Sequence, residues 1–319
     1  MTTARVAGRW LRAAVAIGLL TWLLWISHPA DIWRVASAAR PAPLLIAIGL
    51  TFFDRALMAW RWLLLLRPVP AAARPSLGRV MRIFFVSTFV GTFLPASVGG
   101  DLVRAYALSQ ERVPMTLSVA SVAMDRALGV MSIVLLGIVS VAAAPARAPA
   151  GVVALLWAGT IGCALLGLVV FSQRVAQPIV RLVAGLPGAG VRRLTGALLD
   201  AVREYRHHHG ALASVLAGSV GVQVLRVVQA YFLGVSLGIA LGLPAYFVAI
   251  PVILLIMLLP ITMNGIGTSQ AAFVWCFGAM GVGRPEAFAL SVLFVALGIV
   301  GNLPGGLLYA TGGVARQTA

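Results

Sequence analysis

Long apolar runs dominate the chain, and they constrain its fold more than any other feature. They cover residues 13–27, 43–66, 83–99, 117–143, 151–171, 211–241, 245–262, 266–283 and 286–312. An α-helix needs about 20 apolar residues to cross a bilayer, and several of these runs reach that length. Only 10% of the residues are charged, whereas a soluble domain carries about 25%. The sequence therefore predicts one all-α polytopic membrane domain over residues 1–319, and it excludes soluble, disordered and fibrous proteins.

The first run, 13–27, follows several arginines, which is also the layout of a cleaved signal peptide. The residues around its end include Trp25, His28 and Pro29, and these do not form a small-residue cleavage site. We therefore predict that 13–27 is retained as a span.

The chain is strongly basic, with a formal net charge of +16 and no lysine among its 24 basic residues. Basic loops of membrane proteins stay in the cytoplasm and attract anionic lipid headgroups, so this excess indicates topology rather than nucleic-acid binding. The N-terminus and the stretches 67–82 and 173–210 are rich in arginine. They share the cytoplasmic side only if the run 83–99 enters and leaves the membrane there. This topology places both termini in the cytoplasm and the protein in the plasma (inner) membrane.

Two Pro–Gly breaks interrupt the apolar runs. One lies at Pro95, Gly99 and Gly100, and the other follows Pro260 and includes Asn264, Gly265 and Gly267. Such breaks free backbone groups, which membrane proteins tolerate only inside protein or beside a wet cavity. The sequence predicts two re-entrant broken-helix hairpins at these places, together with about six spanning helices.

The two breaks also suggest an internal repeat. Arg61 precedes Pro95 by 34 residues, and Arg226 precedes Pro260 by the same number. The predicted units are 43–143 and 211–313, offset by about 165 residues and inverted in the membrane, as in many transporters. The alternative is coincidence, because proline and glycine are common in membrane helices.

A cytoplasmic loop, 173–210, joins the two units. Leu194, Leu198, Val202 and Tyr205 share one face at helical spacing, which predicts an amphipathic helix in the membrane interface, with these side chains facing lipid. A solvated linker is the alternative. The tract 207–209, three consecutive histidines, is expected to be solvated, because consecutive helical positions point apart and no nearby group completes a metal site.

Charged residues within the membrane runs, together with two that follow the first break at the membrane edge, are the candidate site, because a charge inside the membrane costs at least ~2.5 kcal/mol to insert. They are Asp54, Arg55, Arg61, Asp101, Arg104, Asp125, Arg126 and Arg226. Five arginines against three aspartates leave a charge of +2, which suits an anion such as phosphate. The breaks add candidate substrate contacts at Pro95, Gly99, Gly100, Asn264, Gly265, Gly267 and Gln270. One alternative is a structural lattice of Asp–Arg pairs that holds the bundle together. Two further alternatives concern single residues: Asp101 only caps a helix, and Arg61 only snorkels to the surface.

Three motifs resemble the flippase-like family, which comprises the transmembrane region of lysylphosphatidylglycerol synthase and its stand-alone relatives. They are P-x-x-x-G-G-D-x-x-R at 95–104, D-R-x-x-G at 125–129 and L-P-I-T-M-N-G-I-G at 259–267. The resemblance implies lipid handling, with an anionic phospho- or polyprenyl-linked lipid moved between leaflets in cell-envelope biogenesis. It covers roughly residues 10–315.

The chain departs from the family pattern in two places. Gly91 and Thr92 stand where relatives often carry asparagine before the first proline, and Gln270 replaces the usual acid after the second. The synthase domain of the fused members is absent, so we expect no aminoacyl transfer, no catalytic residue, no cofactor and no metal.

The alternative function is a membrane-embedded transferase, or an accessory subunit that works with envelope-biosynthesis enzymes. A scaffold that does not transport is a third reading. No Walker-type loop, G-x-S-x-G or H-E-x-x-H motif occurs in the sequence, and a transferase needs acid–base groups at its site.

Overall fold

The computed structural model describes residues 37, 39–70, 73–93, 98–144, 150–171, 201–258 and 267–312. Within these residues it has α-helices, one short 3₁₀-helix and no strand, which confirms the prediction of an all-α membrane protein. The α-helices are α1 (Pro41–Leu64), α2 (Leu77–Gly91), α3 (Val98–Ser109), α4 (Met115–Ala143), α5 (Ala150–Phe171), α6 (His209–Ser236), α7 (Leu243–Met257), α8 (Thr268–Gly278) and α9 (Arg284–Gly312). The predicted span 13–27, the two prolines of the breaks and most of the loop 173–210 lie outside the described residues.

Four of the described helices, α1, α4, α6 and α9, are long and apolar enough to cross a membrane. Several large side chains are exposed on the helix surfaces, among them Leu45, Phe53, Trp157 and Leu307. An apolar surface of this kind needs lipid or protein against it. The folded structure thus presents apolar side chains on its outer surface, as expected of a protein that lies in a membrane.

The short helices α2 and α3 form a hairpin. They have 15 and 12 residues, or at most about 23 Å of helix, which is less than the ~30 Å hydrocarbon core. Their backbones touch at two glycines, since a Cβ on Gly91 would lie 2.7 Å from the Cα of Gly100. Arg79 at the start of α2 pairs with Glu111 just after α3, at 2.7 Å. The chain thus enters and leaves this hairpin at the same end, which is the geometry that a re-entrant segment requires.

Helices α7 and α8 form a second hairpin of the same kind. Tyr246 at the start of α7 packs on Phe277 at the end of α8, with ring centroids 5.1 Å apart. Gly267 precedes α8 with a φ of 92°, a conformation that favours glycine. Its N–H donates to Oε1 of Gln270 at 2.5 Å, so Gln270 caps the second half of the broken segment.

The helices occur in the order long, short, short, long, twice. Helices α6 to α9 begin between 166 and 170 residues after α1 to α4, their counterparts. The two central long helices, α1 and α6, pack side by side and run antiparallel: Arg61 lies against Ser219 at one end, and the Arg40 N–H donates to the Ser236 carbonyl at the other. Two sets of four helices, 41–143 and 209–312, are therefore present, with α5 packed against α4 and α7.

The end of the loop 173–210 packs against protein. Residues 201–204 are helical and Tyr205–His207 form the 3₁₀-helix. Ala201 and Tyr205 belong to the apolar core beside α1 to α4, and the Tyr205 hydroxyl donates to the Leu65 carbonyl at 2.6 Å. The expectation that Tyr205 faces lipid is therefore wrong, because its hydroxyl satisfies a carbonyl at the end of α1. Burial raises the pKa of this phenol above its ordinary value, so it remains a neutral donor.

Candidate functional site

A cavity of about 350 Å³ lies between the two sets of helices. Residues of α1, α2, α3, α4, α6, α7 and α9 line it. All eight charged candidates are among its lining residues: Asp54, Arg55, Arg61, Asp101, Arg104, Asp125, Arg126 and Arg226. Helices distant in sequence thus bring these eight side chains to one place.

Five of the eight form one ion-pair chain, which runs Arg61, Asp125, Arg104, Asp101, Arg126. Asp125 sits at its centre and accepts hydrogen bonds from Arg61 Nη2 at 2.6 Å and Arg104 Nη2 at 3.0 Å. Arg104 Nη2 is also 3.4 Å from Asp101 Oδ1. Arg126 then donates to both oxygens of Asp101, at 2.6 and 3.0 Å. This chain ties α1, α3 and α4 together.

The inner part of the ion-pair chain is held from all sides. The side chains of Arg61, Asp125 and Arg104 are only 4–5% exposed. Arg61 Nη1 donates to Ser219 Oγ at 2.7 Å, and the Arg104 guanidinium lies 5.0 Å from the centre of the Trp62 ring. Breaking such a buried ion pair costs several kcal/mol, so the pairs that Asp125 makes with Arg61 and Arg104 hold the helices together.

Asp54 organises a second, looser group. Its carboxylate accepts from Arg55 Nη1 at 3.1 Å and lies 3.6 Å from Arg226 Nε. Arg55 also reaches the Gly298 carbonyl at 3.3 Å, on α9. The other Arg226 contacts are long or soft, to Gln223 Oε1 at 3.4 Å and to the sulfur of Met58 at 3.3 Å. Arg226 is therefore the deep arginine that is held least firmly, and its side chain is 21% exposed.

Equivalent turns of the two sets of helices line the cavity. Asp125 and Arg126 are the eleventh and twelfth residues of α4, and the eleventh and twelfth residues of α9 are Phe294 and Val295. All four residues border the cavity. The same relation holds between α2 and α7, where Thr88 corresponds to Leu254.

The cavity consequently has a charged wall and an apolar wall. Seven of the eight charges come from α1, α3 and α4, and α6 contributes Arg226. The described residues of α7 and α9 that line the cavity carry no charge. On that side the large apolar side chains are Leu254, Met257, Leu258, Phe294, Val295 and Leu297.

Neutral polar side chains also line the cavity, and the sequence analysis did not name them as candidate contacts. They are Thr51, Ser87, Thr88, Thr92, Gln223, Gln229 and Asn302. Asn302 Nδ2 donates to Thr92 Oγ1 at 2.9 Å, which joins α9 to the end of α2. An amide or hydroxyl within an apolar run is the sequence feature that could have identified them. Such a group costs less free energy to insert into the membrane than a charge does, and it is more common, so it indicates a site less strongly.

The glycine and amide candidates divide into three groups. Gly100 lines the cavity and lets α3 approach α2. Gly99, Gly267 and Gln270 are described but are not among the lining residues. Pro95, Asn264 and Gly265 lie outside the described residues.

The arrangement is suited to binding an anion. Every aspartate that lines the cavity has an arginine within 3.1 Å, and a carboxylate so engaged is a poor general base. Among the described residues, no three His, Cys, Asp or Glu side chains cluster as metal ligands. The guanidinium groups offer planar two-point donors, the geometry that fits phosphate or carboxylate.

Comparison with known proteins agrees with a membrane role. The family model described as the lysylphosphatidylglycerol synthase TM region matches residues 9–305. A UPF0104 membrane protein from Methanothermobacter thermautotrophicus is 26% identical over 307 residues, which span 88% of this chain and 86% of that protein. No solved structure matches the chain.

Proposed function

Because the chain belongs to the family of the lysylphosphatidylglycerol synthase transmembrane region, we propose that it moves an anionic lipid between the leaflets of the plasma membrane. The observation that carries this proposal is the cavity itself, which has five arginines and three aspartates on one side and apolar side chains on the other. An anionic headgroup fits the first wall and the adjoining hydrocarbon fits the second. The lipid would be phospho- or polyprenyl-linked and would serve cell-envelope biogenesis.

We propose that the two sets of helices are inverted repeats. The antiparallel packing of α1 and α6 supports this, and so do the contacts between short and long helices. Gly305 of α9 lies against the Phe85 backbone of α2. In the other set, a Cβ placed on Gly137 of α4 would lie closest to Leu156 of α5 and 3.4 Å from the side chain of Pro251 of α7, and Pro251 holds the helix position in α7 that Phe85 holds in α2. Inverted repeats let a transporter exchange the packing of its halves around a central site.

On this proposal the protein carries out no chemistry of its own. Its aspartates hold arginines, and the arginines hold the headgroup. The predicted topology, with both termini cytoplasmic, lets each hairpin reach the cavity from one face of the membrane. A partner enzyme that makes or uses the lipid is compatible with this role, and a co-purifying lipid identified by native mass spectrometry would name the substrate.

Arg226→Gln tests the proposal. The deep guanidinium makes only long contacts, and Asp54 keeps Arg55 as its partner, so the variant should fold. Loss of a charge-assisted contact to a headgroup should weaken binding by about 10- to 150-fold, or ~1.5–3 kcal/mol. Arg226→Lys should restore binding only in part, because an ammonium does not reproduce the two-point fork. The measurements are lipid binding in nanodiscs and translocation of a labelled anionic lipid in proteoliposomes.

Arg79→Gln is the matched control, because it removes the same charge from an arginine whose side chain is 54% exposed and which lies outside the cavity lining. It should bind and translocate lipid like the unmodified protein. If Arg226→Gln also translocated at the unmodified rate, the cavity would not be the lipid site. If it melted far earlier yet bound lipid normally once folded, Arg226 would be a structural residue.

A further inference from the structure

The charges on the cavity wall define how much negative charge a bound headgroup must bring. Five arginines and three aspartates line the cavity. Each aspartate is already bound to arginine, so the excess of +2 is what a ligand meets. In a low-dielectric site an uncompensated charge is costly, and a ligand that cancels it is favoured. A headgroup with two negative charges neutralises this wall, whereas one negative charge leaves half of the excess.

The unsatisfied polar atoms agree with this count. Six buried side-chain atoms of cavity-lining residues have no hydrogen-bond partner. The donors are Arg55 Nε, Arg61 Nε, Arg104 Nε and Gln229 Nε2, and the acceptors are Asp54 Oδ1 and Asn302 Oδ1. Donors thus outnumber acceptors by two to one among them. These atoms are closed to the cavity, so a ligand does not bond to them directly. Unpaired guanidinium N–H groups behind the lining still add to its positive potential, which an acceptor-only phosphate compensates better than a hydroxyl- or amine-bearing headgroup does.

The position of the charges restricts the ligand further. Apolar side chains of α7 and α9 line the same cavity of about 350 Å³, and Phe294 and Val295 occupy the helix positions that Asp125 and Arg126 occupy in α4. A large polar headgroup would have to place some of its polar atoms against this wall, which is unfavourable. A compact headgroup with its charge concentrated on one phosphate group avoids that cost.

From these three observations we propose that the ligand is a lipid phosphomonoester, that is, a lipid with a compact dianionic headgroup, rather than a phosphodiester lipid or one with a cationic headgroup. This inference rests on the proposed function and specifies its substrate class. The phosphate contacts the charged wall at Arg226, and the first carbons of the hydrocarbon lie along Leu254, Met257 and Phe294.

The test compares two lipids with identical acyl chains in nanodiscs that contain the full chain. Phosphatidic acid carries a phosphomonoester, and phosphatidylglycerol carries a phosphodiester. A phosphomonoester loses its second proton near pH 6. We expect phosphatidic acid to bind about ten times more tightly or better than phosphatidylglycerol at pH 8, and this ratio to fall towards one at pH 5. The diester, whose charge does not change in this interval, corrects for any effect of pH on the protein itself.

Two further arms sharpen the test. Arg226→Gln lowers the wall charge from +2 to +1, so it should reduce the preference for phosphatidic acid, while Arg79→Gln should leave it unchanged. Glycerol 3-phosphate has the same phosphomonoester without hydrocarbon and should displace phosphatidic acid only weakly. If it bound as tightly as the lipid, the ligand would be a soluble phosphate and the inference would be wrong.

The results separate this inference from the proposed function. Equal binding of the two lipids at pH 8, with both lost in Arg226→Gln, would overturn the dianionic class and leave an anionic-lipid site. If neither lipid bound in the cavity, as judged by photo-crosslinking to residues such as Phe294, the proposed function would fail and this inference with it. If the affinities for both lipids changed with pH in the same way, the ratio between them would stay constant, and this would also count against a dianionic ligand.

Discussion

At the scale of single residues, the arginines that line the cavity differ in how firmly they are held. Asp125 and its two arginines are buried and closely paired, whereas Arg226 is more exposed and has longer contacts. We therefore propose that the two readings of the charged set, a binding site and a structural lattice, apply to different members of it. Arg61 is also explained in this way: it does not snorkel to the surface, because Asp125 and Ser219 hold its guanidinium inside.

Asp125→Asn should destabilise the fold strongly. The amide keeps the shape of the side chain but leaves Arg61 and Arg104 without their shared anion, and breaking a buried pair costs about 3–5 kcal/mol. The matched control is Glu111→Gln, which removes the partner of the largely exposed Arg79 and should cost at most about 1 kcal/mol. Thermal unfolding in a fixed detergent measures both. Similar melting temperatures for the two variants would contradict a structural role for Asp125.

Single residues also show which features of the site could be predicted from the sequence. The convergence of all eight charges could be predicted, because a charge in a membrane run must find a partner or a wet cavity. Which acid meets which arginine could not be predicted, since Arg61 meets Asp125 through the relative register of α1 and α4. Thr92 and Asn302 were missed because neutral polar groups are cheap enough to insert without a special reason.

At the scale of helices, glycine sets the distances. Gly91 and Gly100 bring α2 and α3 into backbone contact, and Gly305 does the same between α9 and α2. Proline and glycine in the sequence predicted the breaks between short helices, and the hairpins have that form. The burial of Tyr205 was not predictable, because its apolar face is equally compatible with lipid and with a protein core.

Gly100→Ala tests the contact within the first hairpin. Its Cβ would lie 3.0 Å from the Ser87 carbonyl and 3.1 Å from the Gly91 Cα, and backbone cannot yield as a flexible side chain does. We expect a loss of about 1–3 kcal/mol in unfolding free energy, measured by thermal or denaturant unfolding. Gly78→Ala, in the same hairpin, has nothing within 4 Å of its Cβ and should be neutral or stabilising by up to about 1 kcal/mol. Equal effects would show that α2 and α3 do not pack closely.

At the scale of the whole molecule, the proximity of Arg79 and Glu111 puts both ends of the first hairpin on one side. Helix α4 then carries the chain across, over 29 residues or about 43 Å. The sequence predicted this topology from the distribution of arginines, which depends on the cell's insertion rules and not on packing. The position of each end relative to the cytoplasm remains a prediction.

Cysteine labelling checks that topology. In a variant without Cys163 and Cys276, a cysteine at Gln110 should react with a membrane-impermeant maleimide only from the cytoplasmic side. A cysteine at Ala144, at the other end of α4, should react only from outside. Labelling of both from the same side would contradict the proposed orientation.

The uneven distribution of charge between the two sets of helices has a consequence for the direction of transport. If two inverted halves were identical, the inward- and outward-facing forms would have equal free energies, and a bound lipid would favour neither. Here Phe294 and Val295 stand where the other half has Asp125 and Arg126, so, if the halves are the inverted repeats that we propose, the two forms differ in free energy. On the proposed function the headgroup would remain with one half while the other half moves past it, which would give the cycle a built-in resting state. The paired helices would then supply the moving parts, and the differing side chains would supply the bias.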